Sequence, residues 1–398
     1  MCAADTLARH SLHPPTSTRT DHRPLAPLLP MHTTTPLVSL HTRKDAIDQH
    51  RVSAPQPQPP LNAGGVRMRI DRVALTTNNI TYAAYGDAMR YWHFFPTGDA
   101  QWGHIPAWGY GVVEASQAEG VAVGERFYGF FPIASHITVQ AERVKPHGFT
   151  DGSPHRRELP AVYNQYLRCS QDPAHDDAWA DALLVVRPLF ATAYLCADFL
   201  ADNGCFGAQQ VVVSSASSKT AYATAHCLRG MHPAKLVGLT GAANANFVRS
   251  TGCYDQVLTY DQLAALPTNV PTLYLDFSGS KALRTQVRER VGLSLVHDCV
   301  VGSTQNSEAD QASRWPAPQP SFFFAPKQVQ KRLADWGSDG FNQRVADAQR
   351  QFLHAASQPG NRWLDVVLHQ GLASAEALLQ HLHAGRADPR QGHVLVLG

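Results

Sequence analysis

The feature that most constrains this chain is a regular alternation that begins at Asp181. Apolar runs short enough for strands are each followed by a stretch with helical spacing. A predicted helix over about 182–203 precedes AQQVVVSS (208–215), a near-continuous apolar run that reads as a strand buried on both faces. KTAYATAHCLRG comes next, with Ala221, Thr224, Ala225 and Leu228 on one helical face and Gly230 placed as a C-cap. The alternation continues through KLVGLT (235–240), a short helix over 244–251 ended by Gly252, QVLTY (256–260) and PTLYLDFSG (271–279). A helix over 280–291 and SLVHDCVVG (294–302) complete it, and SFFFA (321–325) reads as a sixth strand. Strands alternating with helices at this spacing predict an α/β fold with a doubly wound parallel sheet.

The flanking regions read differently. Val38 to Val144 shows short alternating strands, among them VRMRIDRVAL, WGYGVVEAS, ERFYGFF and HITVQAERV, separated by Gly, Pro and Asp. This pattern predicts a small antiparallel β domain. Residues 146–181 are polar and carry Pro146, Pro154, Pro160 and Pro173, with PAVYNQYLR (160–168) embedded in them. A long insert of this kind is expected to be a lid or binding loop. Beyond 326 the pattern is mostly helical and ends in HVLVL (393–397), a strand expected to return to the first domain. Residues 1–34, rich in Pro, His, Thr and Arg, read as a disordered tail or as a start placed ahead of a true one at Met31.

Composition narrows the function classes. The 398 residues hold 34 Lys and Arg against 32 Asp and Glu, a net charge of +2, so no basic field argues for nucleic acid. Seven scattered cysteines form no C-x-x-C pair, which argues against a disulfide scaffold or a Cys-rich zinc module and for a cytoplasmic protein. The longest apolar stretch, from Ala182, is interrupted by Arg187, Pro188 and Asp198, so no membrane span is expected.

The segment that carries chemistry is VVVSSASSKTAYATA (211–225). Small residues form the turn between a buried strand and a helix, where outward-pointing amides favour phosphate. Three readings fit it. In a dinucleotide loop every glycine of G-x-G-x-x-G is replaced, with Ser215, Ser218 and Ala221 at comparable positions. In a P-loop, "SKT" would supply the ending Lys219 and Thr220, but both required glycines are missing. The third reading is a strand–helix turn that binds nothing. An NAD site places an acid about 20 residues downstream. Here that point falls at Thr240, and residues 235–250, Asn244 among them, contain no Asp or Glu, which favours NADPH over NADH.

Taken together, VALTTNNITYAAYGDAMRYW (73–92), VAVGERFYGFFPIASHITVQAERV (121–144), PAVYNQYLR, VVVSSASSKTAYA and GCYDQVLTY (252–260) resemble the zinc-independent branch of the medium-chain dehydrogenase/reductase superfamily, the quinone and enoyl reductases. Within it the resemblance is to the DUF2855 family, and FFFAPKQVQKRLADWG (322–337) and GRADPRQGHVLVL (385–397) extend it. The resemblance implies a GroES-like β-barrel catalytic domain (35–181 plus 326–398) with an inserted Rossmann domain (182–325) and a cleft between them. It also implies a homodimer. Asn78 and Thr81 match the first and fourth positions of a substrate-side N-x-x-[D/T] turn, and Thr192 matches a Thr near the nicotinamide. Tyr260 and Arg386 match residues that contact phosphate in NADPH-using relatives. The basic residue that the family often carries after the second strand is replaced by Gly241, Ala242 and Ala243. Zinc-using relatives carry G-H-E where this chain has WGYGVV, with Tyr110 in place of the His, so no metal is expected.

The implied reaction is hydride transfer from NADPH to a small-molecule substrate with an activated C=C or C=O, such as an enone, quinone or enoyl thioester. Developing charge on an oxygen calls for a hydrogen-bond or proton donor, for which Asn78, Tyr82, Tyr85 and Tyr163 are the candidates. Ser215, Ser217, Ser218, Lys219 and Thr220 would face cofactor phosphates. A catalytically silent nucleotide-binding or redox-sensing protein on the same fold is the alternative.

Overall fold

The computed structural model describes residues 35–301, 318–385 and 387–398. The reading of residues 1–34 and the assignment of Arg386 lie outside the described residues. The chain opens with β1 (Leu40–Arg43), β2 (Ala46–Val52), β3 (Gly65–Leu75), α1 (Thr77–Ala84), β4 (Trp102–Gly103) and β5 (Pro106–Ser116). It continues through β6 (Arg126–Pro132), β7 (His136–Lys145), β8 (Gly148–Asp151) and β9 (Gln165–Arg168). A long helix, α2 (Ala180–Asp202), leads to β10 (Gln210–Val213), α3 (Lys219–Met231), β11 (Lys235–Thr240), α4 (Ala245–Thr251) and β12 (Gln256–Thr259). After these come β13 (Thr272–Asp276), α5 (Lys281–Val291), β14 (Leu295–Val300), β15 (Ser321–Phe322), α6 (Ala325–Ala356), β16 (Asp365–Gln370), α7 (Ala373–His383) and β17 (Gln391–Val396).

Eight of the strands form one sheet in the order β16-β17-β3-β5-β6-β9-β8-β7, and a further pairing of β3 with β7 closes six of them into a barrel. The length of β3 makes this closure possible. Its first half (Gly65–Arg69) pairs with β7 and its second half (Arg72–Leu75) with β17. The hydrophobic side chains of these strands, among them Val66, Met68, Ile70, Phe127 and Phe131, fill the barrel.

The second sheet is parallel, in the order β12-β11-β10-β13-β14-β15. Its strand order reverses between β10 and β13, which opens a crevice at their carboxyl ends. The four residues of β10 are all buried, as the near-continuous apolar run requires.

Four readings of the sequence are corrected. Gly230 is not a cap, because α3 continues to Met231 and ends at His232. PAVYNQYLR is no lid: its second half is β9, which pairs with β6 and β8 inside the barrel sheet. Tyr166 is fully buried there, stacked on Phe149, and Arg168 pairs with Glu125. β16, read as part of a helical region, is a strand parallel to β17. Finally, Asp177–Asp202 is long and apolar enough to cross a bilayer, and α2 runs unbroken through Arg187, Pro188 and Asp198. It is a core helix, packed on α3 and α6, with its charges met internally. Arg187 pairs with Asp172, and Asp198 accepts from Arg332 Nε at 2.7 Å and also from Gln328.

Candidate active site

The loop between β10 and α3 lies at the crevice, and hydrogen bonds hold its shape. Ser214 Oγ donates to Asp276 Oδ1 at 2.7 Å and accepts the amides of Phe277 and Ser278 at 2.9 and 3.0 Å. One buried hydroxyl thus ties the loop after β10 to the loop after β13. Ser215 adopts a left-handed backbone (φ 48°), a conformation that costs an L-residue roughly 1–2 kcal/mol, at a position comparable to a fingerprint glycine. Ser218 caps α3 by accepting the Ala221 amide, while Ser217 Oγ accepts from Asn244 Nδ2 at 3.2 Å. The amides of Lys219 and Thr220, in the first turn of α3, have no acceptor among the described residues.

Lys219 reaches across to the C-terminal segment. Its Nζ donates to the carbonyl oxygens of Pro389 (2.9 Å) and Gln391 (2.7 Å), which ties the loop to residues about to enter the barrel sheet. Burial lowers its pKa to about 8, an effect that Asp388 partly offsets. A cavity of about 300 Å³ lies against this contact. It is walled by Ser215, Ser217, Ser218, Lys219, Thr220 and Asn244 on one side. Leu75, Asn78, Leu189, Asp388 and His393 face it from the other elements.

Asn78 sits in the first turn of α1. Thr76 caps the helix, its Oγ1 accepting the Asn78 amide (3.2 Å), and Asn79 completes a capping box: its Oδ1 accepts the Thr76 amide (2.7 Å) while Nδ2 donates to the Pro106 carbonyl (2.9 Å). Asn78 is left exposed, and it also lines a second, narrow recess with Tyr82, Trp108 and Leu189. Tyr82 is buried among Tyr91, Phe130 and Trp108, and burial raises its hydroxyl pKa well above the ordinary value.

The remaining candidates lie outside both linings. Thr81 is exposed and bonds back to Thr77, and Tyr85 is the half-buried C-cap of α1. Tyr163 belongs to the same aromatic cluster as Tyr82, with its hydroxyl 3.1 Å from that of Tyr91. Thr192 is half-buried on α2. Thr240 is buried at the end of β11, its hydroxyl unpartnered among the described residues, and Tyr260 is exposed just after β12. Among the described residues no group of three or more His, Cys, Asp or Glu is placed to hold a metal ion. Tyr110 is buried, its hydroxyl donating to the Ala180 carbonyl at 3.3 Å.

The chain matches the family described as a protein of unknown function, DUF2855, over residues 73–388. It belongs to the DUF2855 family. This DUF2855 protein is similar in structure to CurA from Vibrio vulnificus, at 13% identity and a TM-score of 0.53, covering 91% of this chain and 99% of that one. CurA in complex with NADPH matches equally. The quinone oxidoreductase from Coxiella burnetii matches at 12% identity and a TM-score of 0.51, and the CurK enoyl reductase at 13% and 0.51, each over 91% of this chain and 99% of theirs. These likenesses show that this DUF2855 protein shares the fold of those proteins. No curated protein sequence matches it.

The C-terminal wall of the cavity, Asp388, Gln391 and His393, was not legible in the sequence, because it meets Lys219 through bonds to Pro389 and Gln391 that span 170 and 172 residues of chain. The return of HVLVL to the barrel was the one available signal.

Proposed function

We propose that this DUF2855 protein is an NADPH-dependent, zinc-independent oxidoreductase that reduces an activated C=C or C=O bond of a small molecule, working as a homodimer. The observation that carries this reading is the cavity at the start of α3. There two unpartnered amides, three serines and the Lys219 ammonium converge where the parallel sheet reverses its strand order. Those groups fit cofactor phosphates, and the acid-free stretch at 240–250 leaves room for a 2′-phosphate.

When bound, the nicotinamide would supply the hydride. The protein's own part is binding, orientation and charge stabilisation. Asn78, exposed where the cavity meets the narrow recess, is placed to donate its amide to a substrate oxygen. The Tyr82 hydroxyl, held neutral by burial, suits hydrogen-bond donation to a developing oxyanion better than full proton transfer. Leu189 and Trp108 supply apolar walls that exclude water. The narrowness of that recess favours the alternative of a nucleotide-binding protein without turnover.

Titration of the purified protein with NADPH, NADH and ATP separates these readings. Selective NADPH binding, weakened tenfold or more in the Lys219→Ala variant, together with oxidation of NADPH by an enone, quinone or enoyl thioester, is the expected result. NADPH binding with no turnover on any of the three would favour the silent protein, and preference for ATP would overturn the cofactor assignment.

A further inference from the structure

His393 lies on β17, only 5% exposed, and is one of the residues that line the cavity at the start of α3. Its two nitrogens have different fates. Nδ1 lies 3.2 Å from Nε2 of His369 on the neighbouring strand β16, whereas Nε2 is buried and without a hydrogen-bond partner. A buried ring nitrogen left without a partner inside the protein keeps its hydrogen-bonding capacity for a group that enters the cavity. His369 is half-buried, and the exposed His381 of α7 packs its ring edge-on to His393. The three imidazoles thus run from solvent to the cavity wall.

We propose that His393 is a ligand for a cofactor phosphate in this cavity, and that it takes up a proton by way of His369 as the anion binds. This rests on the cofactor assignment above. The charged and titratable groups around the ring are Lys219 at the start of α3, His369 on β16 and His381 on α7, with Asp388 facing Lys219. From the other elements, β3 and α2 add only Leu75 and Leu189 to this wall.

Burial first, and then His369, Lys219 and His381, lower the His393 pKa to about 4, so the ring is neutral at pH 6.5. A phosphate beside it favours the imidazolium, whose Nε2–H donates to the anion while Nδ1–H donates to His369. Because the bound state then holds more protons than the free state, NADPH affinity rises as pH falls.

The test is calorimetric titration of the full chain with NADPH at pH 6.5 in buffers of different ionisation enthalpy. At that pH Lys219 is already charged and contributes no uptake. The wild type is expected to take up about half a proton or more per NADPH, and to bind about 3- to 10-fold more tightly at pH 6 than at pH 8. His393→Gln is expected to lose the uptake at pH 6.5 and to retain only the pH dependence that Lys219 adds as it titrates near pH 8, while keeping its cofactor-free melting temperature. Binding without proton uptake, or the same uptake in His393→Gln, would overturn the proposal and leave the cofactor assignment standing. If the variant does not fold, the proton count of the wild type decides alone. Absence of NADPH binding would remove the cofactor assignment and this proposal together.

Discussion

Asp276 shows how much of the site rests on a single carboxylate. It is fully buried at the end of β13, where Oδ1 accepts from Ser214, from the Ser278 amide and hydroxyl and from the Gly279 amide. Oδ2 accepts from Arg284 at 2.6 Å. Burial pushes its pKa up, but the hydroxyls of Ser278 and Ser214 and the Arg284 guanidinium outweigh that and hold it below the ordinary carboxylate range. A depressed carboxyl contributes stability above its unfolded pKa of about 4 and loses it as pH falls through the folded value. Asp276→Asn is therefore expected to cost on the order of 3 kcal/mol at pH 7. Urea denaturation should show the gap between variant and wild type closing as pH drops below about 4, and a gap constant with pH would contradict this assignment.

At the scale of elements, the loop between β10 and α3 depends on a close approach by β11. A Cβ at Gly238 would stand 3.0 Å from Ala216 Cβ in the loop and 3.0 Å from the Tyr254 ring. Neither neighbour yields easily: the Tyr254 hydroxyl donates to the Ala216 carbonyl at 3.2 Å, and the Ala216 amide bonds to Leu239. Gly238→Val should destabilise the protein by about 1–3 kcal/mol through overpacking. It should weaken NADPH binding in parallel by displacing the loop, which thermal melting and cofactor titration would read together. Unchanged affinity alongside lowered stability would show that the loop does not lean on β11.

For the whole molecule, the barrel sheet and the parallel sheet, two of the three sheets, are joined by more than chain connectivity. Lys219 links the parallel sheet to the C-terminal segment, and β17 pairs with β3 and β16 in the barrel sheet. The tight packing between these layers also governs thiol chemistry. Cys169, Cys196, Cys205, Cys227, Cys253 and Cys299 are all buried, and burial raises every one of their pKa values. Native protein treated with iodoacetamide at pH 8 should leave these six unmodified, whereas unfolding in urea should expose them together. Mass spectrometry after digestion checks this, and selective native-state labelling of any one would reveal a local opening.

By itself the sequence determined the parallel sheet, since continuous apolar runs at βα spacing have few other folds open to them. It also located the turn between β10 and α3, because small residues between a buried strand and a capped helix are a local signal. Tertiary structure decided what faces that loop. Asn79, the local capping-box partner of Thr76, is also held by the Pro106 carbonyl 27 residues away, and its neighbour Asn78 is left to line the cavity. β9 became a barrel strand through Tyr166 and Arg168, whose partners lie in distant segments. His393 entered the cavity wall because β17 settles between β3 and β16. Contacts between residues far apart in the chain leave no local periodicity, so only the folded molecule brings Lys219, Asn78 and His393 to one cavity.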